Sequence, residues 1–234
     1  MARIVTLFKR EFAAFFVSPV AYIVITIFLL VTGWFFFTTF FLLDQANLRN
    51  FFNLLPFVFS FVVPAVTMRL FSEERNVGSY ETLLTLPVAL WEVVAGKFLA
   101  AVAFIAALLA PTLAYAITVS WLGDLDWGPV IGGYIGALLL AAAFAAIGLF
   151  ASALTRNQIV AFIIGMAICF GFTLIDKMLF FLPPGLLDVF HYLASGSHFE
   201  TISKGIIDTR DLIYFASIVF IALYATHWAL QEKR

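Results

Sequence analysis

Six long stretches of the chain carry no Asp, Glu, Lys or Arg, and short charged segments separate them. They cover residues 12–43, 50–68, 98–123, 127–155, 157–175 and 212–231. Each reaches roughly the 20 residues that a helix needs to cross the hydrocarbon core of a bilayer. The apolar runs are continuous rather than alternating, which favours helices over barrel strands. The pattern predicts an all-α polytopic membrane protein with six transmembrane helices, at 20–43, 51–71, 95–122, 130–154, 158–182 and 212–230.

Residues 1–17 show a different, amphipathic pattern. Apolar residues recur at helical spacing at Ile4, Phe8, Phe12 and Phe15 or Phe16. The opposite side carries Arg3, Thr6, Lys9 and Arg10. This spacing predicts an N-terminal helix that lies in the membrane interface. The alternative is a charged flank that only precedes the first span.

The segment 72–88 joins the second and third spans and carries four charged residues, Glu73, Glu74, Arg75 and Glu81. Residues 76–78 supply turn chemistry, and Ser79 is suited to cap a short helix that Pro87 ends. Tyr80 and Leu84 lie on the apolar side of that helix. Such a side is exposed unless a partner or the lipid surface covers it. A loop without a partner is the alternative.

The segment 183–211 joins the fifth and sixth spans. Apolar residues follow helical spacing from Leu186 to Leu193, the run breaks at 195–197, and it resumes at Phe199. We expect two short, half-buried helices here.

Composition and charge agree with a membrane protein and set its orientation. The chain is 64% hydrophobic and 12% charged, with a mean hydropathy of +1.07, which no soluble surface shows. One side of the predicted bundle carries Arg3, Lys9, Arg10, Arg69, Arg75, Lys97, Arg156, Lys233 and Arg234. The other side carries only Arg49, Lys177, Lys204 and Arg210. Because cytoplasmic segments are rich in Lys and Arg, both termini are predicted to be cytoplasmic.

Several classes of activity lack their usual signals. All acidic and basic side chains are predicted to lie outside the spans or at their ends, so an ion-coupled transporter is disfavoured. Gly96 and Lys97 do not belong to a P-loop, and His191 and His198 lack the spacing of a zinc motif. Cys169 lies in mid-span and is expected to fill the core. We expect no catalytic residue, cofactor, metal ligand or nucleic-acid partner.

The charged segment 72–88 resembles a sequence signature of a known protein family. Residues 73–88 resemble the E-R-x-x-G-[TS]-x-E-x-L-L-x-x-P signature of ABC-2 type permease subunits. Within that group the chain resembles the gliding-motility-associated permeases and, more distantly, the permease of the nitrous-oxide-reductase maturation transporter. Further matches lie at 9–12, 18–22, 64–69, 96–100, 148–152, 157–162 and 204–214.

The resemblance implies a non-catalytic permease half in a bacterial inner membrane. Its expected partners are a cytoplasmic ABC ATPase that binds ATP and Mg, a second permease half and membrane lipids, with room for an auxiliary subunit that has an external domain. The segment 72–88 would be the coupling helix, and its ATPase-docking residues would be Glu73, Arg75, Gly78, Ser79, Tyr80, Glu81, Leu84 and Pro87. The segment 183–211 would re-enter the outer leaflet, with gate candidates at Phe190, Phe199 and Ile202. Ordinary packing against the sixth span is the alternative for these three residues.

Two other functions share many of these features. A membrane scaffold could use ATPase-driven movement to act on an envelope protein without exporting cargo. An independent channel is disfavoured because no span shows a polar face. The substrate is not encoded in any motif of this sequence.

Overall fold

The computed structural model describes residues 2–43, 47–78, 88–178 and 192–232. These residues form helices and short connections, with no strand among them. The helices are α1 (Ala2–Val17), α2 (Pro19–Leu43), α3 (Arg49–Thr67), α4 (Arg69–Val77), α5 (Leu90–Leu109), α6 (Leu113–Leu122), α7 (Trp127–Leu154), α8 (Gln158–Met178), α9 (Ser195–Ser203) and α10 (Thr209–Gln231).

Among the residues that the structure describes, six helical stretches are long and apolar enough to cross a membrane, as the sequence predicted. We number them as spans one to six: Pro19–Phe40, Arg49–Val77, Leu90–Leu122, Trp127–Leu154, Gln158–Met178 and Thr209–Gln231. The all-α fold class is therefore confirmed. Span three begins at Leu90 rather than at 95, and span six begins at Thr209 rather than at 212. The predicted end of span five, beyond Met178, lies outside the described residues.

Span four forms the centre of the bundle. It contacts spans two, three, five and six. Within the most apolar 18 residues of each span, 72% of the residues are buried in span four, compared with 22% in spans one and five and 28% in span six. Small residues such as Gly136, Ala137 and Gly148 line its buried surface. Small side chains let neighbouring helices approach closely in a membrane. At Gly148 the approach is so close that an added methyl group would overlap the Thr67 hydroxyl.

Two spans each consist of two consecutive α-helices. Span two consists of α3, which contains Pro56 and Pro64, and of α4, which restarts after Met68. Span three passes through one 3₁₀ turn, Ala110–Thr112, between α5 and α6. Proline removes a backbone donor and clashes with the preceding turn, so irregularities of this kind are expected near it.

Residues Ala2–Val17 do form a helix, α1, which packs along α5. Phe15 is buried, Phe8 and Phe12 are half-buried, and Arg3 and Lys9 are exposed, as the amphipathic pattern predicted. The alternative of a flank without a helix is therefore wrong. The placement of α1 in the membrane interface stays a prediction.

The connection before span six contains α9, which packs on span four. The sequence predicted a break at 195–197, but these residues form the first turn of α9. The Ser197 hydroxyl donates to the Ala194 carbonyl at 2.9 Å and thereby supports this turn. The first of the two expected helices falls largely within 179–191, outside the described residues.

Candidate functional site

A buried lysine lies where α1, α4 and α5 meet, and we call this end of the bundle the near face. The Lys97 side chain is only 2% exposed, and its Nζ atom lies 2.7 Å from Glu74 Oε1 and 3.2 Å from Glu11 Oε2. Arg10 Nη2 lies 3.1 Å from Glu11 and 3.8 Å from Glu74. The Lys97 ammonium also lies 5.3 Å from the centre of the Phe71 ring. Two cations and two carboxylates thus form one compact group, the near-face ion cluster.

Local sequence explains how Lys97 reaches this position. The N–H of Ala89 donates to the Glu92 carboxylate at 3.0 Å, which stabilises the first turn of α5. One residue before Lys97, a side chain on Gly96 would lie 2.9 Å from Leu7 Cβ, so α1 contacts α5 closely at this point. Gly96 therefore allows the helices to approach, and Lys97 supplies the charge that pairs with Glu11.

A serine on span four holds α4 in place. The Ser152 hydroxyl oxygen accepts from the N–H groups of Phe71 and Ser72, each at 3.0 Å, and donates to the Met68 carbonyl at 2.7 Å. Phe71 and Ser72 lie in the first turn of α4, where N–H groups have no partner within the helix. Ser152 therefore caps α4 from a different span and fixes the direction in which it continues.

The predicted docking residues on α4 do not share one orientation. Glu73 is exposed, and its carboxylate lies 3.5 Å from Arg69 Nε in the preceding turn. Arg75 points inward instead and donates to the Ala153 carbonyl of span four. A cavity of about 220 Å³ lies between α1 and α4 and is lined by Glu11, Ala14, Phe15, Arg69, Leu70, Glu73, Glu74 and Lys97.

Gly78 ends α4 with a left-handed backbone, at φ 80° and ψ 1°. Glycine adopts this conformation without the steric cost that a side chain adds. The sequence predicted a turn over 76–78, but Asn76 and Val77 belong to α4 and only Gly78 turns. The docking candidates Ser79, Tyr80, Glu81, Leu84 and Pro87 lie outside the described residues.

The near-face ion cluster contradicts one expectation from the sequence. We expected no buried Asp, Glu, Lys or Arg within the spans, yet Lys97 in span three and Asp211 in span six are buried. The expectation failed because the partners of each group lie far away in the sequence. No local pattern links Glu11, Glu74 and Lys97, and a lysine near a span end also fits simple extension towards water.

At the opposite end, the far face, the gate candidates pack inside the subunit. Phe199 is 2% exposed and Ile202 is fully buried. Both side chains lie against Gly136 of span four, where an added Cβ would be 3.3 and 3.2 Å from them. Both residues therefore pack against span four, and α9 also contacts α10 of span six. The gate role stays a prediction, and Phe190 lies outside the described residues.

His198 on the far face has a partner at each ring nitrogen. Its Nδ1 atom lies 2.6 Å from Asp211 Oδ1, and its Nε2 atom lies 3.0 Å from the Tyr192 carbonyl oxygen. A hydrolytic triad requires Nε2 to face a serine hydroxyl, so this pair is not arranged for nucleophilic catalysis. Among the described residues no group of three or more His, Cys, Asp or Glu side chains is placed to hold a metal ion.

Comparison with known proteins addresses the function of this membrane bundle. The sequence matches the family described as "ABC-2 family transporter protein" over residues 5–230. A search among curated proteins found no match. The family pairs its membrane subunits with a cytoplasmic ABC ATPase. Because the match spans nearly the whole chain and six helices can cross a membrane, the chain belongs to the ABC-2 family and is a multi-pass permease subunit of an ABC transporter.

Proposed function

We propose that this subunit couples ATP hydrolysis by a separate ATPase to export, or to conformational work, across the bacterial inner membrane. The near-face ion cluster carries the proposal, because Lys97 joins α1 and α4 to span three. The chain itself is non-catalytic in this proposal, and ATP and Mg are bound by the ATPase.

The contacts of α4 define a route for the coupling. The segment 72–88 docks on the ATPase, with Glu73 exposed on α4 and Gly78 turning the chain at its end. A displacement of α4 reaches span three through the Glu74–Lys97 ion pair and span four through Ser152. ATP drives the change only if it binds one of two arrangements more tightly than the other.

The outer surface of the bundle leaves room for the other expected partners. Spans one, five and six are buried over only 22%, 22% and 28% of their most apolar windows. Their remaining surfaces are available to lipid and to a second permease half, either an identical chain or a related one. The narrower resemblance to gliding-motility permeases rests on residues 204–214, and with it the proposal of an auxiliary subunit that has an external domain.

The decisive experiment is a purification of the tagged chain in mild detergent, followed by mass spectrometry and an ATPase assay. The wild type is compared with a Gly78→Val, Glu81→Gln double variant. We expect a P-loop ATPase to accompany the wild type and to be lost from the variant, while both chains insert into the membrane equally. A wild-type chain that retains no ATPase would overturn the proposal.

A matched control tests whether the backbone turn matters. Gly78→Asn keeps a residue that tolerates the left-handed region, whereas valine does not. Gly78→Asn and Gly78→Val are therefore compared as single variants, and we expect only the asparagine variant to retain the ATPase. Equal loss with asparagine and with valine would show that the turn at Gly78 is not what the ATPase requires.

The scaffold function remains the second candidate, since it uses the same ATPase contact. It predicts ATP turnover that depends on an envelope protein and needs no exported cargo. An ATPase rate that rises with a purified envelope partner, in liposomes free of other solutes, would favour it over export.

A further inference from the structure

The far face holds a cavity of about 340 Å³, a size at the lower end of small-molecule sites. Its floor is apolar and is formed by Leu48, Phe52, Leu125 and Val130, each no more than 9% exposed. Its rim is charged and comes from three separate parts of the chain. Arg49 begins α3, Asp124 and Asp126 precede α7, and Lys204 follows α9. An apolar floor below a charged rim suits a ligand that has both kinds of surface.

On one side of the rim, two cations, Arg49 and Lys204, share one acidic partner, Glu200. Arg49 Nη2 lies 3.7 Å from Glu200 Oε1, and Lys204 Nζ lies 2.9 Å from the same oxygen. The hydrogen bond from Lys204 and the nearby cations hold the pKa of Glu200 below its usual value, so its carboxylate is charged at neutral pH. The two cationic side chains are 64% and 48% exposed and retain donors for a second anion.

The backbone adds to this positive potential. Arg49 is the first residue of the 19-residue helix α3. Its own N–H donates to Asn47 Oδ1 at 3.2 Å, and Leu48 provides no side-chain cap for the other N–H groups of the first turn. The N–H groups at such a helix start favour an anion. The cations at Arg49 and Lys204 and the helix start therefore act in the same direction.

The acidic side of the rim offers one carboxylate to a ligand. Asp126 is already used, because its Oδ1 atom accepts from the Gly128 N–H at 3.0 Å and caps α7. Asp124 is exposed and makes no hydrogen bond or ion pair within the parts of the chain that the structure describes. A carboxylate that accepts hydrogen bonds only is suited to a primary ammonium group.

The wall that carries Lys204 is fixed against span four. An added Cβ at Gly132 would overlap the Ile202 carbonyl and lie 2.9 Å from Gly205 Cα, so the end of α9 packs directly on α7. Gly205 itself has φ 86° and turns the chain after Lys204. The backbone that carries Lys204 therefore loses little conformational entropy when a ligand binds.

We propose that this cavity binds a zwitterionic aminophosphate headgroup, with the phosphate at Arg49 and Lys204 and the ammonium at Asp124. The cavity lies at the ends of spans two, three and four, where lipid headgroups are expected to surround the bundle. The source that we infer is therefore an aminophospholipid such as phosphatidylethanolamine, whose glycerol and acyl parts contact the apolar floor. The site does not depend on the ATPase.

The test is a binding titration of the purified full chain in detergent with short-chain phosphatidylethanolamine, phosphatidylglycerol and free glycerophosphoethanolamine. We expect phosphatidylethanolamine to bind about tenfold more tightly than phosphatidylglycerol, since the latter lacks the charge-assisted contact. Asp124→Asn should remove this preference. Arg49→Gln with Lys204→Gln should weaken both lipids.

Arg210→Gln serves as the control, because Arg210 is an exposed cation outside the cavity lining. We expect it to bind both lipids as the wild type does. Equal weakening by Arg210→Gln, or a preference that survives Asp124→Asn, would overturn the site. If free glycerophosphoethanolamine binds as tightly as phosphatidylethanolamine, the inference that the ligand is a lipid is wrong.

Discussion

Lys97 shows how a single charge can organise three elements. Its side chain is 2% exposed, its ammonium group pairs with Glu11 and Glu74, and Arg10 supplies the second positive charge near the two carboxylates. A buried ion pair adds little net stability, since desolvation opposes the attraction between the charges. Loss of one partner is different, because the remaining charge stays buried without compensation.

The first prediction concerns that loss. Lys97→Met leaves both carboxylates without their main cation, so the free energy of unfolding should fall by about 3–5 kcal/mol. The measurement is thermal or denaturant unfolding in detergent, and the exposed Lys177→Met is the control. Adding Glu74→Gln to Lys97→Met should recover part of the loss. Equal unfolding midpoints for the variants at 97 and 177 would contradict the assigned pairing.

Gly148 gives a second prediction at the residue scale, this time steric. Gly148→Ala forces its methyl group onto the Thr67 hydroxyl and should destabilise the protein by about 1–3 kcal/mol. Thr67→Ala removes the obstructing oxygen, so the double variant should be more stable than the sum of the two single effects predicts. Gly171→Ala is the control, because nothing lies within 4 Å of the added group. Additive effects in this cycle would contradict the overlap.

At the scale of elements, α4 is defined by a contact that its own sequence does not contain. Apolar run lengths predicted the six spans, since crossing a bilayer constrains composition over some 20 residues. They did not predict that span two breaks at Met68 and that α4 is capped by Ser152, 80 residues from Ser72. The cap depends on how spans two and four pack, which no local pattern encodes. For the same reason α9 begins within a Ser-Gly-Ser segment that resembles a break.

The third prediction tests this cap. Ser152→Ala leaves the N–H groups of Phe71 and Ser72 buried without an acceptor, at a cost of about 1–3 kcal/mol. Hydrogen exchange at these two amides should become faster, and α4 should separate more readily from span four. Ser217→Ala is the control, because that hydroxyl bonds only within its own helix. Unchanged exchange at 71 and 72 would rule out the cap.

At the scale of the whole molecule, the orientation of the bundle connects the two proposals. If the near face is cytoplasmic, α4 can reach an ATPase and the cavity at Arg49 and Lys204 faces the outer leaflet. The distribution of Lys and Arg predicts this orientation.

The fourth prediction measures the orientation directly. The only cysteine, Cys169, is buried and is replaced by alanine to give a background without thiols. Lys9→Cys and Arg210→Cys are then introduced separately at exposed positions of the two faces. A membrane-impermeant maleimide should label position 210 in intact cells and position 9 only after permeabilisation. The reverse pattern would invert the bundle and exclude cytoplasmic docking by α4.

The near-face ion cluster also sets an order on biosynthesis. Glu11 and Glu74 are translated before Lys97, so both carboxylates already exist when the lysine leaves the ribosome. Inserting an unpaired lysine into the membrane costs free energy, and pairing with the carboxylates of Glu11 and Glu74 offsets this cost. Span three therefore inserts most favourably when α1 and α4 are already at the membrane. Before span three is inserted, Glu11 of α1 lacks the Lys97 partner. The near-face ion cluster is therefore complete only after span three has been inserted.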